Sequence, residues 1–206
     1  MSTHSNGLIK LTKVKLSFPH IIKPGGMQGM PPAFSADFVM EKNHPSYLTF
    51  KKRCDEVALE KFKDKAGSIM KMILQTQKLR CFGNGSEKVS QDTGEVHKGY
   101  DGESIVYISA RQSNLDRPPY IVTGDRRAVH YGQPEFQDLA RRLYGGCFVN
   151  AVVKPYPQDN EFGKGIRCEF ISIQFAGEGE AFGAPSVIET VNLYDEVEDT
   201  DMEDSF

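Results

Sequence analysis

In residues 147–156 two kinds of side chain alternate, and this stretch holds the residues best suited to chemistry in the sequence. One set of alternate positions is small and apolar, and the other carries two aromatic rings, an amide, a valine and a lysine. The second set is Phe148, Asn150, Val152, Lys154 and Tyr156. A period of two indicates a half-buried β-strand whose small residues face a core. On the opposite face, rings can stack on unpaired bases and lysines can hold phosphates, although an ordinary hairpin with exposed aromatics fits equally well.

Two further segments repeat this combination of rings and cations. A glycine-containing loop and a second predicted strand carry Phe162, Lys164 and Arg167. In the predicted strand 104–112, Tyr107 and Arg111 alternate with apolar residues and are therefore expected on an outer face. The predicted base-stacking residues are Phe148, Tyr156, Tyr107 and Phe162. The predicted phosphate contacts are Lys154, Lys164, Arg167, Arg111, Lys13 and Lys15.

Catalytic and metal-binding patterns are missing from the sequence. It contains no P-loop and no Gly-x-Ser-x-Gly elbow, and its five histidines are scattered. The four cysteines are Cys54, Cys81, Cys147 and Cys168. A zinc site from three of them and a histidine is a remote alternative, because no two ligands are close in sequence. Core-facing free thiols are favoured instead. We predict a protein that is not an enzyme and has no cofactor, since a metal-dependent hydrolase would need ligands at usable spacing.

The chain before the central stretch is predicted to form two strands and a helix. The first strand, 8–18, has one apolar face, made of Val14, Leu16 and Phe18. Its polar face is Lys13, Lys15 and Ser17. The second strand, 33–40, points Phe34, Ala36, Phe38 and Met40 inward. Asn43 or His44 then caps a helix with Pro45 in its first turn. The core face of this helix is Tyr47, Phe50, Cys54, Val57, Ala58 and Phe62.

The remaining elements point to a small barrel. We predict a second helix within 66–80, a long loop or loose hairpin over 83–103, a short strand at 120–122, and a short helix after Pro134 that ends at Gly145 and Gly146. Several short strands with inserted helices indicate a mainly β fold. The leading candidate is an OB-fold-like five-stranded barrel, because such barrels present aromatic-bearing strands to single strands.

Charge is divided unevenly along the chain. Residues 178–206 contain ten acidic residues and no Lys or Arg, which leaves 18 acidic residues against all 25 basic residues in 1–177. The body therefore carries a formal charge of +7 and the tail −10. This asymmetry is typical of nucleic-acid binding combined with an acidic tail. We predict a domain at 1–177 and a flexible, disordered acidic tail at 178–206, which is too polar to fold alone.

One block of the sequence resembles a known family. The matching residues are Tyr144, Gly145, Gly146, Cys147, Phe148, Val149, Asn150, Ala151, Tyr156, Asn160, Lys164, Gly165 and Ile166. In this block the chain resembles the single-stranded DNA-binding proteins of tailed bacteriophages, which are similar in architecture to the replication single-strand binders of short-tailed coliphages. The resemblance extends to the first strand, to the Phe34–Met40 strand with its helix, and to an acidic tail ending in Phe206.

The resemblance implies an OB-fold that binds single-stranded DNA without sequence preference in phage replication, recombination or repair. It also implies that the tail competes with DNA and recruits replication proteins such as a polymerase or a helicase-primase. The tail residues expected to bind partners are Asp199, Asp201, Glu203, Asp204 and Phe206. The expected location is the cytoplasm of the infected host cell, since no signal peptide or apolar span is evident.

Several alternatives stay open at this point. An acidic-tailed adaptor or a DNA-mimic inhibitor would use the tail as its main surface and would not bind DNA. An RNA-binding β-barrel fits the same residues, because the choice between DNA and RNA depends on contacts at the 2′ position. Duplex DNA is a further candidate partner for the basic body. A homodimer and a monomer are both compatible with the sequence.

Overall fold

Eight strands and three α-helices make up the described part of the chain, residues 7–26 and 31–183 of a computed structural model. The strands are β1 (Ile9–Gly25), β2 (Ala33–Glu41), β3 (Phe82–Asn84), β4 (Ile105–Gln112), β5 (Tyr120–Val122), β6 (Ala128–Val129), β7 (Phe148–Asn160) and β8 (Gly163–Gly177). The helices are α1 (Pro45–Phe62), α2 (Ala66–Gln75) and α3 (Phe136–Arg141). None of the helices in these residues is long and apolar enough to cross a bilayer.

Five of the strands close into a barrel in the order β4-β2-β1-β7-β8. Four neighbouring pairs are antiparallel, and a parallel pairing of Arg111 with Glu169 joins β4 to β8 and closes the circle. This is the strand order of a partly open Greek-key barrel, so the predicted OB-like fold is confirmed. The short strand β3 extends the sheet beside β4, and β5 and β6 extend it beside β8.

The barrel core is formed by the small and branched residues that alternate along the strands. In β7, Cys147 (just before the strand), Val149, Ala151 and Val153 are all buried, as the period-two pattern predicts. Phe38 and Phe170 meet edge to face at the centre, with ring centroids 5.7 Å apart. Burial of each such ring contributes about 1.5–3 kcal/mol.

Helix α1 packs on β1 and β7 through its one apolar face. His44 is its N-cap: the Nδ1 atom accepts a hydrogen bond from the Ser46 N–H at 3.2 Å, and Pro45 occupies the first turn. All six residues of the predicted core face are buried. The predicted second helix is α2, followed by a short 3₁₀ turn. The region 83–103 is a loose hairpin held by an isolated bridge between Val89 and Val96.

Two irregularities in β1 overturn the predicted alternation. Register shifts interrupt its pairing with β7 near Lys13 and with β2 near Phe18, and both residues have positive φ, 52° and 44°. Such bulges insert an extra residue and redirect the side chains that follow. Phe18, predicted to face inward with Val14, is 46% exposed, and Ser17, predicted outward, is buried.

Candidate nucleic-acid interface

The outer surface of three adjacent strands gathers most of the cationic and aromatic residues that the sequence singles out. We call it the basic face. It consists of Lys10, Lys13, Lys15, Phe148, Lys154, Tyr156 and Arg167 on β1, β7 and β8. From Phe148 to Tyr156 the surface runs along β7 for roughly 26 Å at about 3.3 Å per residue.

Phe148 lies at one end of the basic face beside two lysines of β1. Its backbone pairs with Lys15, and the Lys13 ammonium lies 6.0 Å from the centre of its ring. The side chain is half-buried, so part of the ring remains exposed to solvent. Within the described residues neither lysine forms an ion pair with a carboxylate. Both ammonium groups are therefore free to contact an anion next to a stacked base.

The bulge at Lys13 explains why the basic face has more lysines on β1 than the sequence suggested. The Lys13 N–H donates to Asn150 Oδ1 at 2.9 Å, and the Asn150 amide donates to Gln174 Oε1 at 2.9 Å. Gln174 in turn donates to the Thr123 carbonyl at 2.8 Å. The extra residue places Lys10 on the same side as Lys13 and Lys15. Strict alternation would place Lys10 on the opposite face of the strand from Lys13 and Lys15, so Lys10 is not among the predicted contacts. No local signal in the sequence marks the bulge.

The opposite end of the basic face is built by Tyr156 and Arg167, which are cross-strand partners on β7 and β8. Tyr156 is 43% exposed, and burial of the rest of its ring raises the pKa of the phenol. The Arg167 Nε donates to Gln158 Oε1 at 2.7 Å, which holds the guanidinium over the strand pair. The pair therefore offers a ring and a cation within reach of one nucleotide.

The tip of the β7–β8 hairpin carries two more predicted residues. Phe162 is 75% exposed, and its backbone N–H donates to Asn160 Oδ1 at 3.1 Å within the turn. Lys164 is ion-paired with Asp159, and its ammonium lies 5.4 Å from the centre of the Phe62 ring. Lys164 is thus partly neutralised, in contrast to the lysines of β1.

A row of alternating charges crosses the seam of the barrel. Glu169 of β8 is the backbone register partner of Lys154 on β7 and of Arg111 on β4. The Arg111 guanidinium also donates to the Pro31 carbonyl and to Ser113 Oγ. Arg111 therefore lies beside the basic face, but a carboxylate separates it from Lys154.

Tyr107 does not belong to this surface, and the prediction that its ring faces solvent is wrong. The side chain is 3% exposed and packs with Val39 and Tyr100. The Lys88 ammonium covers the ring at 4.4 Å from its centre. Burial raises the pKa of Tyr107 to about 12. The segment 85–104, which directly precedes β4, lies over the outer side of β2 and β4 and reaches Asp37 of β2, and period-two reasoning treats that side as open.

The segment that follows β8 is bound to the barrel next to Lys15. Tyr144 donates to Glu178 Oε2 at 2.6 Å, Lys98 pairs with Glu180 at 3.0 Å, and the Phe182 N–H donates to the Gly145 carbonyl at 2.8 Å. The Lys15 ammonium lies 5.6 Å from the centre of the Phe182 ring. The predicted partner-binding residues lie outside the described residues: Asp199, Asp201, Glu203, Asp204 and Phe206.

Among the described residues, no group of three His, Cys, Asp or Glu side chains is arranged to hold a metal ion. The four cysteines are free thiols in the interior. Burial raises the pKa of the Cys147 thiol to about 11 and raises those of Cys54 and Cys168. A raised pKa keeps the thiols of Cys54, Cys147 and Cys168 uncharged at neutral pH, so they behave as small apolar residues.

Comparison with known families gives a match over nearly the whole chain. Residues 8–205 fit the family described as Enterobacter phage Enc34, ssDNA-binding protein. The chain belongs to this family. A curated relative, protein p50 of Acyrthosiphon pisum secondary endosymbiont phage 1, is 31% identical over 191 residues, which cover 90% of this chain and 93% of p50.

Solved structures of the Enc34 family member have the same fold. The single-stranded DNA-binding protein from bacteriophage Enc34 in complex with ssDNA is 25% identical, with a TM-score of 0.64 over 87% of this chain and 91% of that one. A second structure of the Enc34 protein is 24% identical, with a TM-score of 0.63 over 93% of this chain and 92% of that one. The latter similarity concerns the fold alone.

Proposed function

We propose that this protein binds single-stranded DNA without sequence preference through the basic face. The observation that carries the proposal is Phe148, whose half-exposed ring lies beside Lys13 and Lys15 on the neighbouring strand. Stacking uses the π-face that every base has, and ammonium groups contact the phosphates that every nucleotide has. The Enc34 relative of the same fold has been solved in complex with ssDNA. We assign the protein a binding role in phage replication, recombination or repair, within the infected host cell.

The acidic tail is proposed as an internal competitor of DNA. The described start of the tail runs from Glu178 to Gly183 and contacts Tyr144, Lys98 and Lys15 at one end of the basic face. A tail of charge −10 that leaves the barrel at this point has a high effective concentration at the lysines. DNA that displaces the tail would make it available to replication proteins such as a polymerase or a helicase-primase.

Fluorescence anisotropy with labelled oligo-dT and a matched duplex, across a salt series, tests the binding function. Single-strand binding should be tighter than duplex binding and should weaken as salt rises, because bound lysines release counterions from the DNA. Phe148→Leu should weaken oligo-dT binding about fivefold or more, since stacking is worth roughly 1–3 kcal/mol per base. Lys15→Gln should reduce the slope of log affinity against log salt by about 1.

Tyr131→Leu provides the matched control. Tyr131 is 47% exposed and packs on Phe34 of β2 and Phe136 of α3, neither of which belongs to the basic face. Its replacement should leave oligo-dT affinity unchanged. If the protein binds duplex and single strand with equal affinity, and Phe148→Leu leaves that affinity unchanged, stacking on the basic face is contradicted. An absence of binding in both full-length and tail-deleted protein would overturn the function and favour an adaptor, and tighter binding of oligo-rU would favour RNA.

A further inference from the structure

Phe18 is an exposed aromatic residue in a backbone conformation that bulky residues rarely adopt. Its φ is 44°, and it lies at the register shift between β1 and β2. A non-glycine residue in the left-handed region costs free energy, and such strain is concentrated at functional sites. The bulge turns the ring out of the core, where it remains 46% exposed.

The ring of Phe18 is supported from beneath by a fixed pair of side chains. It stacks on Tyr100 with centroids 5.9 Å apart and planes 26° apart, and it meets the edge of His97 at 5.0 Å. Tyr100 is fully buried, and its hydroxyl donates to Asp37 Oδ2 at 2.8 Å. A supported ring loses little freedom when a second ring stacks on its outer side, so the platform is preorganised.

We propose that Phe18 is an additional stacking site for an unpaired nucleobase, at the β1 end of the basic face. This proposal rests on the proposed single-strand binding. Lys15 lies three residues away on the same strand, at a span of about 10 Å, and can hold the adjoining phosphate. Lys98, next to His97 in sequence, is a second nearby cation and is paired with Glu180. A single supported ring between cations suits a base better than a protein partner, which requires a wider apolar patch.

Photocrosslinking tests the site directly. Oligo-dT carrying 5-iodouracil is irradiated with the full-length protein, and the crosslinked peptides are identified by mass spectrometry. We expect a crosslink at Phe18 in the wild type. In anisotropy, Phe18→Leu should weaken oligo-dT binding about fivefold or more, while Phe18→Tyr, which keeps the ring, should stay near the wild-type affinity.

Two controls separate this proposal from general binding and from folding. Tyr131→Leu removes an equally exposed ring elsewhere and should leave binding unchanged. Urea unfolding of Phe18→Leu establishes that the variant is folded at the assay temperature. If the wild type binds oligo-dT but neither the crosslink nor a loss in the folded Phe18→Leu variant is observed, the site is refuted while the proposed function stands. If the wild type does not bind, the proposed function itself fails.

Discussion

At the scale of single residues, Asp37 shows how the outer side of β2 is stabilised. Its carboxylate accepts hydrogen bonds from Tyr100 at 2.8 Å and from Ser109 at 2.5 Å, and it pairs with Lys88 at 2.7 Å. Asp37 is 7% exposed, so these three groups replace the hydrogen bonds to water that its carboxylate loses on burial. The network attaches the segment 85–104 to the barrel and supports the ring beneath Phe18.

Asp37→Asn should therefore lower the free energy of unfolding by about 2 kcal/mol, because it leaves the partly buried Lys88 cation without its counter-charge. Urea unfolding followed by circular dichroism measures the change. Asp138→Asn is the matched control, since Asp138 pairs with Arg141 on the surface of α3 and both side chains are largely exposed. The control should be almost neutral. An equal effect of the two substitutions would contradict a stabilising role for the Asp37 network.

At the scale of elements, α1 depends on a histidine cap that functions only when it is uncharged. The Nδ1 atom of His44 accepts from the Ser46 N–H, and protonation would convert this acceptor to a donor. Burial lowers the pKa of His44 from its ordinary value of 6.5. Below that pH the unfolded chain binds more protons at this site than the folded one, so stability falls as pH decreases.

His44→Asn should remove this part of the pH dependence, because asparagine caps a helix without titrating in this range. We expect the wild type to lose more stability than His44→Asn when the pH falls from about 7.5 to about 5.5. His44→Ala should cost about 1 kcal/mol at the higher pH through loss of the cap. Urea unfolding at both pH values measures these differences. Parallel pH dependence in the wild type and His44→Asn would show that the cap does not titrate.

At the scale of the whole molecule, closure of the barrel and the division of charge act together. The β1–β7 pairing sets Lys15 against Phe148, and the parallel β4–β8 pairing sets Arg111 against Glu169. The chain then leaves β8 along Tyr144 and Lys98, at the same end as Lys15. The acidic tail of the proposed mechanism thus starts beside Lys15 of β1.

Deletion of residues 190–206 should tighten oligo-dT binding on the order of tenfold at low salt, because a tethered competitor is removed. The gain should shrink as salt screens the tail in the full-length protein. Anisotropy across a salt series measures both effects. A full-length variant whose tail Asp and Glu residues are changed to Asn and Gln separates the effect of tail charge from the effect of tail length. Phe206→Ala tests the contribution of the terminal ring. Unchanged affinity at low salt after deletion would refute competition by the tail.

Local rules were sufficient for much of this fold. The alternation in β7, the cap and apolar face of α1, and the contrast between a basic body and an acidic tail follow from side-chain period, backbone preference and charge. These are properties of neighbouring residues, and they predicted the barrel and most residues of the basic face.

Tertiary contacts decided the rest. Bulges in β1 turned Phe18 outward and placed Lys10 beside Lys13, because strand register depends on the partner strand and not on the local pattern. The segment 85–104 buried Tyr107, since a residue on an outer face is exposed only if no other part of the chain covers it. Sequence alone thus determined which residue types line each strand, and the tertiary structure decided which of them reach solvent together.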